Sequence, residues 1–206
     1  MPGLLGKKLG MTSIYSADGE IIPVTVIEAG PCNVVAVKSI KTDGYDALQL
    51  SFGSKKEKHT TKPVSGYFKK RELTLAAVLR EFKNYSGSEY KVGDVINVEI
   101  LTVGDKVKVS SKSKGKGFQG VVRRHGFSGV GGRTHGQSDR ERAPGSIGQS
   151  SYPSRVLKGT KMAGRMGYSR FTVSGLKVVK ILPEKNIVLV KGAIPGSVNT
   201  IVEINK

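Results

Sequence analysis

KSKGKGFQGVVRRHGFSGVGGRTHGQSDRERAPGSIGQSSYPSRVLKGTKMAGRMGYSRFTVSGLK, residues 112–177, sets fourteen Lys and Arg side chains against Asp139 and Glu141 and offers few residues able to form a core. Roughly +12 of the formal +18 thus lies in about a third of the chain. Residues 1–111 and 178–206 are closer to charge balance and carry enough Val, Ile and Leu to bury a core. The sequence therefore predicts a globular body, residues 1–111 and 178–206, interrupted by an extended basic arm, residues 112–177. Charge segregated in this way calls for a polyanionic partner.

Working outward, the body reads as short strands with turn signals. Met11–Ser16 and Glu20–Ala29 flank Asp18-Gly19, whose positive φ suits a hairpin. Asn33–Lys41 and Tyr45–Phe52 flank Thr42-Asp43-Gly44, and Leu48, Leu50 and Phe52 alternate with Ala47, Gln49 and Ser51 as in a half-buried antiparallel strand. Ser54–Lys62 reads as a basic loop ending at Pro63, able to add a second contact with the partner. Leu75, Val78, Leu79 and Phe82 recur at helical spacing between Thr74 and the Asn84–Ser88 breaker, which predicts a helix. Val95–Leu101, Val107–Ser110, Leu176–Leu182, Ile187–Val190 and Thr200–Ile204 read as further strands, with a turn at Pro183-Glu184-Lys185-Asn186. Many short strands and one helix predict a mainly β closed barrel or sandwich. The strands that flank the basic segment are expected to be neighbours.

Composition excludes several classes. The chain has no apolar run near the ~18 residues a spanning helix needs, and MPGLLGKKLGMTS is too short and polar for a signal peptide, so a cytosolic protein is expected. The single Cys32 supports neither an internal disulfide nor a zinc site and reads as a buried small apolar residue. His59, His125 and His135 lack ligand spacing. Gly115–Gly120 formally matches GxGxxG, with Asp139 about twenty residues on, but no βαβ unit surrounds it. Gly126–Thr134 lacks the lysine of a Walker loop.

The basic segment holds 14 of the 27 glycines, and its low hydrophobicity cannot offset the ordering entropy in isolation. A solvated tail without a partner has the same charge, yet would not need Phe118, Phe127, Tyr152, Tyr168 and Phe171 among its cations. Rings and guanidinium planes stack on unpaired bases, and glycines admit close approach to phosphate and 2′-hydroxyl groups. This pattern favours folded RNA over duplex DNA.

The runs Gly3-Leu4-Leu5-Gly6-Lys7-Lys8-Leu9-Gly10-Met11-Thr12, Ser113-Lys114-Gly115-Lys116-Gly117-Phe118-Gln119-Gly120, Thr134-His135-Gly136, Pro144-Gly145-Ser146-Ile147-Gly148-Gln149 and Lys161-Met162-Ala163-Gly164-Arg165-Met166-Gly167 resemble, in order, the bacterial form of the large-subunit ribosomal protein L-three family. Lys108 departs from the acidic or amide residue usual there, and the run between Phe127 and Gly132 is unfamiliar. The resemblance implies a six-stranded barrel like that of translation proteins, with one short helix and a long irregular basic extension. It further implies a structural constituent of the large subunit that binds 23S-type rRNA near its 3′ end early in assembly, ribosome-bound in the cytoplasm beside neighbouring large-subunit proteins. Catalytic residues, cofactor, metal, membrane and small-molecule substrate have no place in that reading. The RNA-binding residues expected are Lys7, Lys8, Lys112, Lys114, Lys116, Phe118, Arg123, Arg124, Arg133, His135, Arg140, Arg142, Arg155, Lys158, Lys161, Arg165 and Arg170. Gly145, Ser146, Ile147, Gly148, Gln149 and Ser150 are expected at a tip near the peptidyl transferase centre, and Gln149 matches a glutamine that some bacterial members carry methylated. A non-ribosomal RNA chaperone or a translation-factor-like RNA-binding module is the competing reading, with a nucleotide-dependent enzyme third.

Overall fold

The computed structural model describes residues 3–16, 18–83, 90–132, 135–136 and 138–206. Its strands are β1 (Gly3–Tyr15), β2 (Ile21–Ala29), β3 (Cys32–Lys38), β4 (Ala47–Ser54), β5 (Ala76–Lys83), β6 (Val95–Ile96), β7 (Lys106–Lys112), β8 (Phe118–Gln119), β9 (Gly164–Arg165), β10 (Arg170–Leu182), β11 (Ile187–Lys191) and β12 (Ile201–Asn205). Its α-helices are α1 (Ile40–Asp43), α2 (Lys62–Lys69) and α3 (Val121–His125). Two compact units result, Met1–Ser113 with Arg170–Lys206, and Lys114–Ser169.

In the first unit six strands close an antiparallel barrel in the order β1-β12-β7-β10-β11-β2. Closure pairs every barrel strand on both sides over part of its length, which removes exposed edges there. The register breaks at Lys8/Gly10, Val173/Leu176 and Val178/Lys180, and such bulges bend strands enough to curl a sheet shut. Leu4, Leu5, Ile27, Val107, Val109, Val178, Val188, Val190, Val202 and Ile204 fill the core. The basic insertion leaves after β7 and returns at β10, and these strands pair, with Lys112 opposite Arg170. The β7–β10 ladder continues from there to Lys177 opposite Lys106.

The remaining body strands do not join the barrel. They form a second sheet, β5-β4-β3-β6, whose Val34, Leu48, Leu50, Phe82 and Ile96 belong to the same apolar cluster as the barrel residues. Residues 76–83 are strand, not helix. Their pairing with β4 runs from Ala76↔Ser54 to Lys83↔Ala47, and this ladder overrides the helical apolar period of the segment. Val95–Leu101 is only partly strand, since a 3-10 turn occupies Val98–Ile100. The helix lies earlier, at Lys62–Lys69, with Thr61 at its N-cap and Pro63 in its first turn. Proline suits that position because the missing N–H has no partner in a first turn anyway. Phe68 of α2 is fully buried, and the Tyr67 hydroxyl donates to Gln49 Oε1 on β4. Residues 84–88, read as a breaker, lie outside the described residues.

Two polar features shape the body. Lys8 is buried, and its Nζ donates to the carbonyls of Ile194 (2.9 Å) and Gly196 (3.1 Å). On the second sheet Glu81 accepts from Lys38 at 3.0 Å and from the Tyr45 hydroxyl at 2.8 Å, and Lys38 first, then Tyr45, hold its carboxyl below the usual range. Asp105 is lowered likewise, chiefly by Lys206 at 2.7 Å and by the Thr102 backbone N–H. Cys32 is buried, with Sγ 3.5 Å from the Leu5 carbonyl, and burial pushes its thiol up to about 12, consistent with an inert packing role.

Replacing Lys8 by Met keeps the aliphatic stem but leaves two buried carbonyls short of a donor. Lys8→Met is expected to cost about 2–4 kcal/mol in a denaturant titration. Because Glu81 and Asp105 titrate lower when folded, their stabilisation is complete above their ordinary values of 4.5 and 3.8 and is lost as pH falls through the folded values. The thermal midpoint is therefore expected to drop on the acid side, and Glu81→Gln to flatten that drop; an unchanged acid profile counts against the Lys38–Tyr45–Glu81 cluster.

Candidate nucleic-acid interface

The second unit, Lys114–Ser169, is built around a small ordered base. β8 and β9 pair antiparallel, Phe118 with Arg165 and Gln119 with Gly164. Two further backbone bonds, Lys116 N–H to Met166 O and Met166 N–H to Gly117 O, both at 2.9 Å, extend the ladder. Gly167 sits at φ +76°, where a Cβ would lie 2.2 Å from the Lys114 carbonyl, so only glycine lets the two chains close. α3 follows β8, buries Val121 and ends on Gly126 in the left-handed conformation.

Arg124 and His125 tie this helix to the returning chain. The Arg124 guanidinium donates to the Met162 carbonyl at 2.7 Å, and His125 Nε2 lies 3.1 Å from the same oxygen. Gly164 leaves room for that guanidinium, since a Cβ there would approach Arg124 Nη1 to 2.4 Å. Arg123 instead stays exposed, with a bond of 3.3 Å to Gln119 Oε1 on its own turn. Sequence reasoning grouped the two arginines.

Beyond the base the chain is irregular. Val130 N–H reaches the Glu141 carbonyl at 3.3 Å, and Ser146 Oγ donates to the Gly148 carbonyl at 2.9 Å. Gly145, Ser146, Ile147, Gly148, Gln149 and Ser150 are all exposed. So are Lys114, Lys116, His135, Arg140, Arg142, Arg155, Lys158, Lys161 and Arg165. Arg133 lies outside the described residues, as does Thr134 of the Thr134-His135-Gly136 motif. Large apolar side chains are exposed with the cations: Phe118 at 73 %, Tyr152 at 86 % and Tyr168 at 70 %. Rings and cations exposed together offer stacking faces and positive charge to a polyanionic partner.

The other expected contacts fall on the body. Lys7 is half-buried on β1, and Lys112 is exposed on β7. Lys8 is committed to the interior, and Arg170 pairs with Glu203, which also holds Arg80 at 3.0 Å. Lys55, Lys56 and Lys58 are exposed in the segment read as a basic loop, part of which is a 3-10 turn at Glu57–His59. The GxGxxG match enters β8, a two-residue strand in an antiparallel pair, and no βαβ unit surrounds it. Among the described residues no group of three His, Cys, Asp or Glu side chains is placed to hold a metal ion, and no helix is long and apolar enough to cross a membrane.

Comparison with known proteins gives this arrangement a context. The model of the family Ribosomal protein L3 matches residues 91–186, which spans the whole second unit. The large ribosomal subunit protein uL3 of Chlorobium phaeobacteroides is 53 % identical over 205 residues, 99 % of this chain and 98 % of its own length. That of Chlorobaculum parvum is similar to the same extent. Identity of this level along the full length of the barrel and the insertion alike means that the chain belongs to the uL3 family of large ribosomal subunit proteins.

Proposed function

We propose that this ribosomal protein binds 23S-type rRNA directly, near its 3′ end and early in large-subunit assembly, with residues 112–177 acting as the rRNA-penetrating arm of a body formed by 1–111 and 178–206. Within that arm Lys114–Ser169 makes the deep contacts, and Lys112 and Arg170 lie where the chain leaves and re-enters the barrel. The observation that carries the reading is the joint exposure of Phe118, Tyr152 and Tyr168 with the cations of the same unit. Phosphates neutralise the cations, unpaired bases stack on the rings, and RNA thereby supplies the packing surface that the segment lacks.

In this proposal Lys114, Lys116, Arg123, Arg140, Arg142, Arg155, Lys158, Lys161 and Arg165 face RNA, with His135 and Arg133. Arg124 acts mainly by holding the base of the arm together, and Lys8 leaves the set because its amino group is used inside the barrel. Gly145–Ser150 forms the tip that approaches the peptidyl transferase centre, and Gln149 is the candidate for methylation. Any influence on peptide transfer then comes from positioning nucleotides, since the segment presents donors and rings rather than an acid–base pair. The protein works in the cytoplasm, ribosome-bound, among other large-subunit proteins.

Two experiments test the reading. With about eight cations on phosphate, log K for rRNA fragments is expected to fall against log salt with a slope of roughly −6 to −7; a slope near zero contradicts direct binding. Arg123→Glu is expected to weaken binding with little change in the amide exchange of residues 116–119 and 164–166. Arg124→Glu is expected to do both, because it also removes the bond to Met162. Equal exchange in the two variants contradicts the division of roles.

A further inference from the structure

The β1–β2 hairpin differs chemically from the rest of the chain. Between Leu9 and Val37 there is no Lys or Arg, while Asp18, Glu20 and Glu28 fall inside that span. Within a chain of formal charge +18 this span is net acidic. β1 pairs with β12 over Gly3–Lys7, and β2 with β11 over Val24–Glu28. Beyond those ladders residues 11–15 and 21–23 continue as a two-stranded ribbon, and among the described residues no third strand pairs with the outer edge of 11–15.

The ribbon has two unlike faces. Ile14 stands opposite Ile22, and Thr12 opposite Val24, and along β2 this face runs on through Val26 to Glu28. Tyr15 stands opposite Ile21, Ser13 opposite Pro23 and Met11 opposite Thr25, and alternation carries this face on from the buried Thr25 to Ile27 and Ala29 of the core, so that its outer part is a continuation of the barrel interior left open. On that second face Tyr15 is 75 % exposed, Ile21 63 % and Met11 53 %. Asp18 and Glu20 are exposed at the turn beside it.

We propose that this face and the open edge of β1 dock a second, basic protein of the large subunit, which lays an extended segment of alternating apolar and cationic side chains along the ribbon. Charge complementarity decides the occupant. RNA is disfavoured because its phosphates meet Asp18 and Glu20 with no cation in the span to neutralise them. A second copy of this hairpin brings like charges together. A basic segment gains on three counts: its cations meet the carboxylates, its apolar side chains cover Tyr15 and Ile21, and its backbone completes the unpaired edge. The inference rests on membership of the large subunit and not on the arm's RNA binding.

The test uses large subunits assembled with the full chain carrying a photoreactive benzophenone side chain at position 15 in place of Tyr15. Irradiation is expected to join position 15 to another, basic ribosomal protein. Asp18→Lys combined with Glu20→Lys is expected to lower that adduct about tenfold, while the amount of this chain in the particle stays constant. An adduct with rRNA, with a second copy or with this chain itself, no adduct, or a yield indifferent to the charge reversal would overturn the proposal. Entry of the chain into the particle is measured separately, so a failure of rRNA binding is distinguished from a failure of docking.

Discussion

Lys112 and Arg170 face each other across the β7–β10 ladder, and the rest of the structure depends on that pairing. It closes the barrel at the point where the chain departs for Lys114–Ser169. Because departure and return are adjacent, the insertion can be long, glycine-rich and short of apolar residues without opening the core. Loop-closure entropy grows only slowly with length, so the body tolerates such an insertion provided its two ends are held together. Barrel pairing holds them on one side, and the β8–β9 pair with the Arg124–Met162 bond repeats the clamp at the start of the insertion.

Charge is distributed in accord with this division. In the body several cations have partners: Lys38 with Glu81, Lys206 with Asp105, Arg80 and Arg170 with Glu203, Lys8 with two carbonyls. In Lys114–Ser169 the acidic residues are Asp139 and Glu141 alone, too few to neutralise the cations around them. Repulsion among like charges and the absence of a core both oppose folding of that segment by itself. A polyanion removes both difficulties at once, and membership of a ribosomal family makes RNA the polyanion at hand.

Much of this was legible in the sequence because alternation is a direct record of sheet faces. Val107 and Val109, Ile187–Val190, and Val202 and Ile204 read as strands and occur as strands of the barrel. Leu48, Leu50 and Phe52 share a buried face as their spacing implies, although Ala47 and Ser51 opposite them are buried too, beneath a second layer. The failures have physical causes. Leu75, Val78, Leu79 and Phe82 follow the helical period, and the partner that overrides it, β4, lies some thirty residues away. Pro63 reads equally as a loop end or as a first-turn residue. The separate roles of Arg123 and Arg124 were invisible because they depend on which of two adjacent side chains turns toward Met162. Buried Lys8 was hidden by the adjacent Lys7 and by a basic motif that suggested two equivalent cations.

In the proposed function RNA supplies the packing that residues 114–169 lack. Backbone hydrogen exchange across residues 144–161, compared between the free protein and the assembled large subunit, tests it most directly. The account predicts rapid exchange in the free chain and slowing on the order of a hundredfold in the subunit, with the barrel strands protected in both. Equal exchange of residues 144–161 in the two states would show that the segment takes no packing from the particle, and would contradict the account.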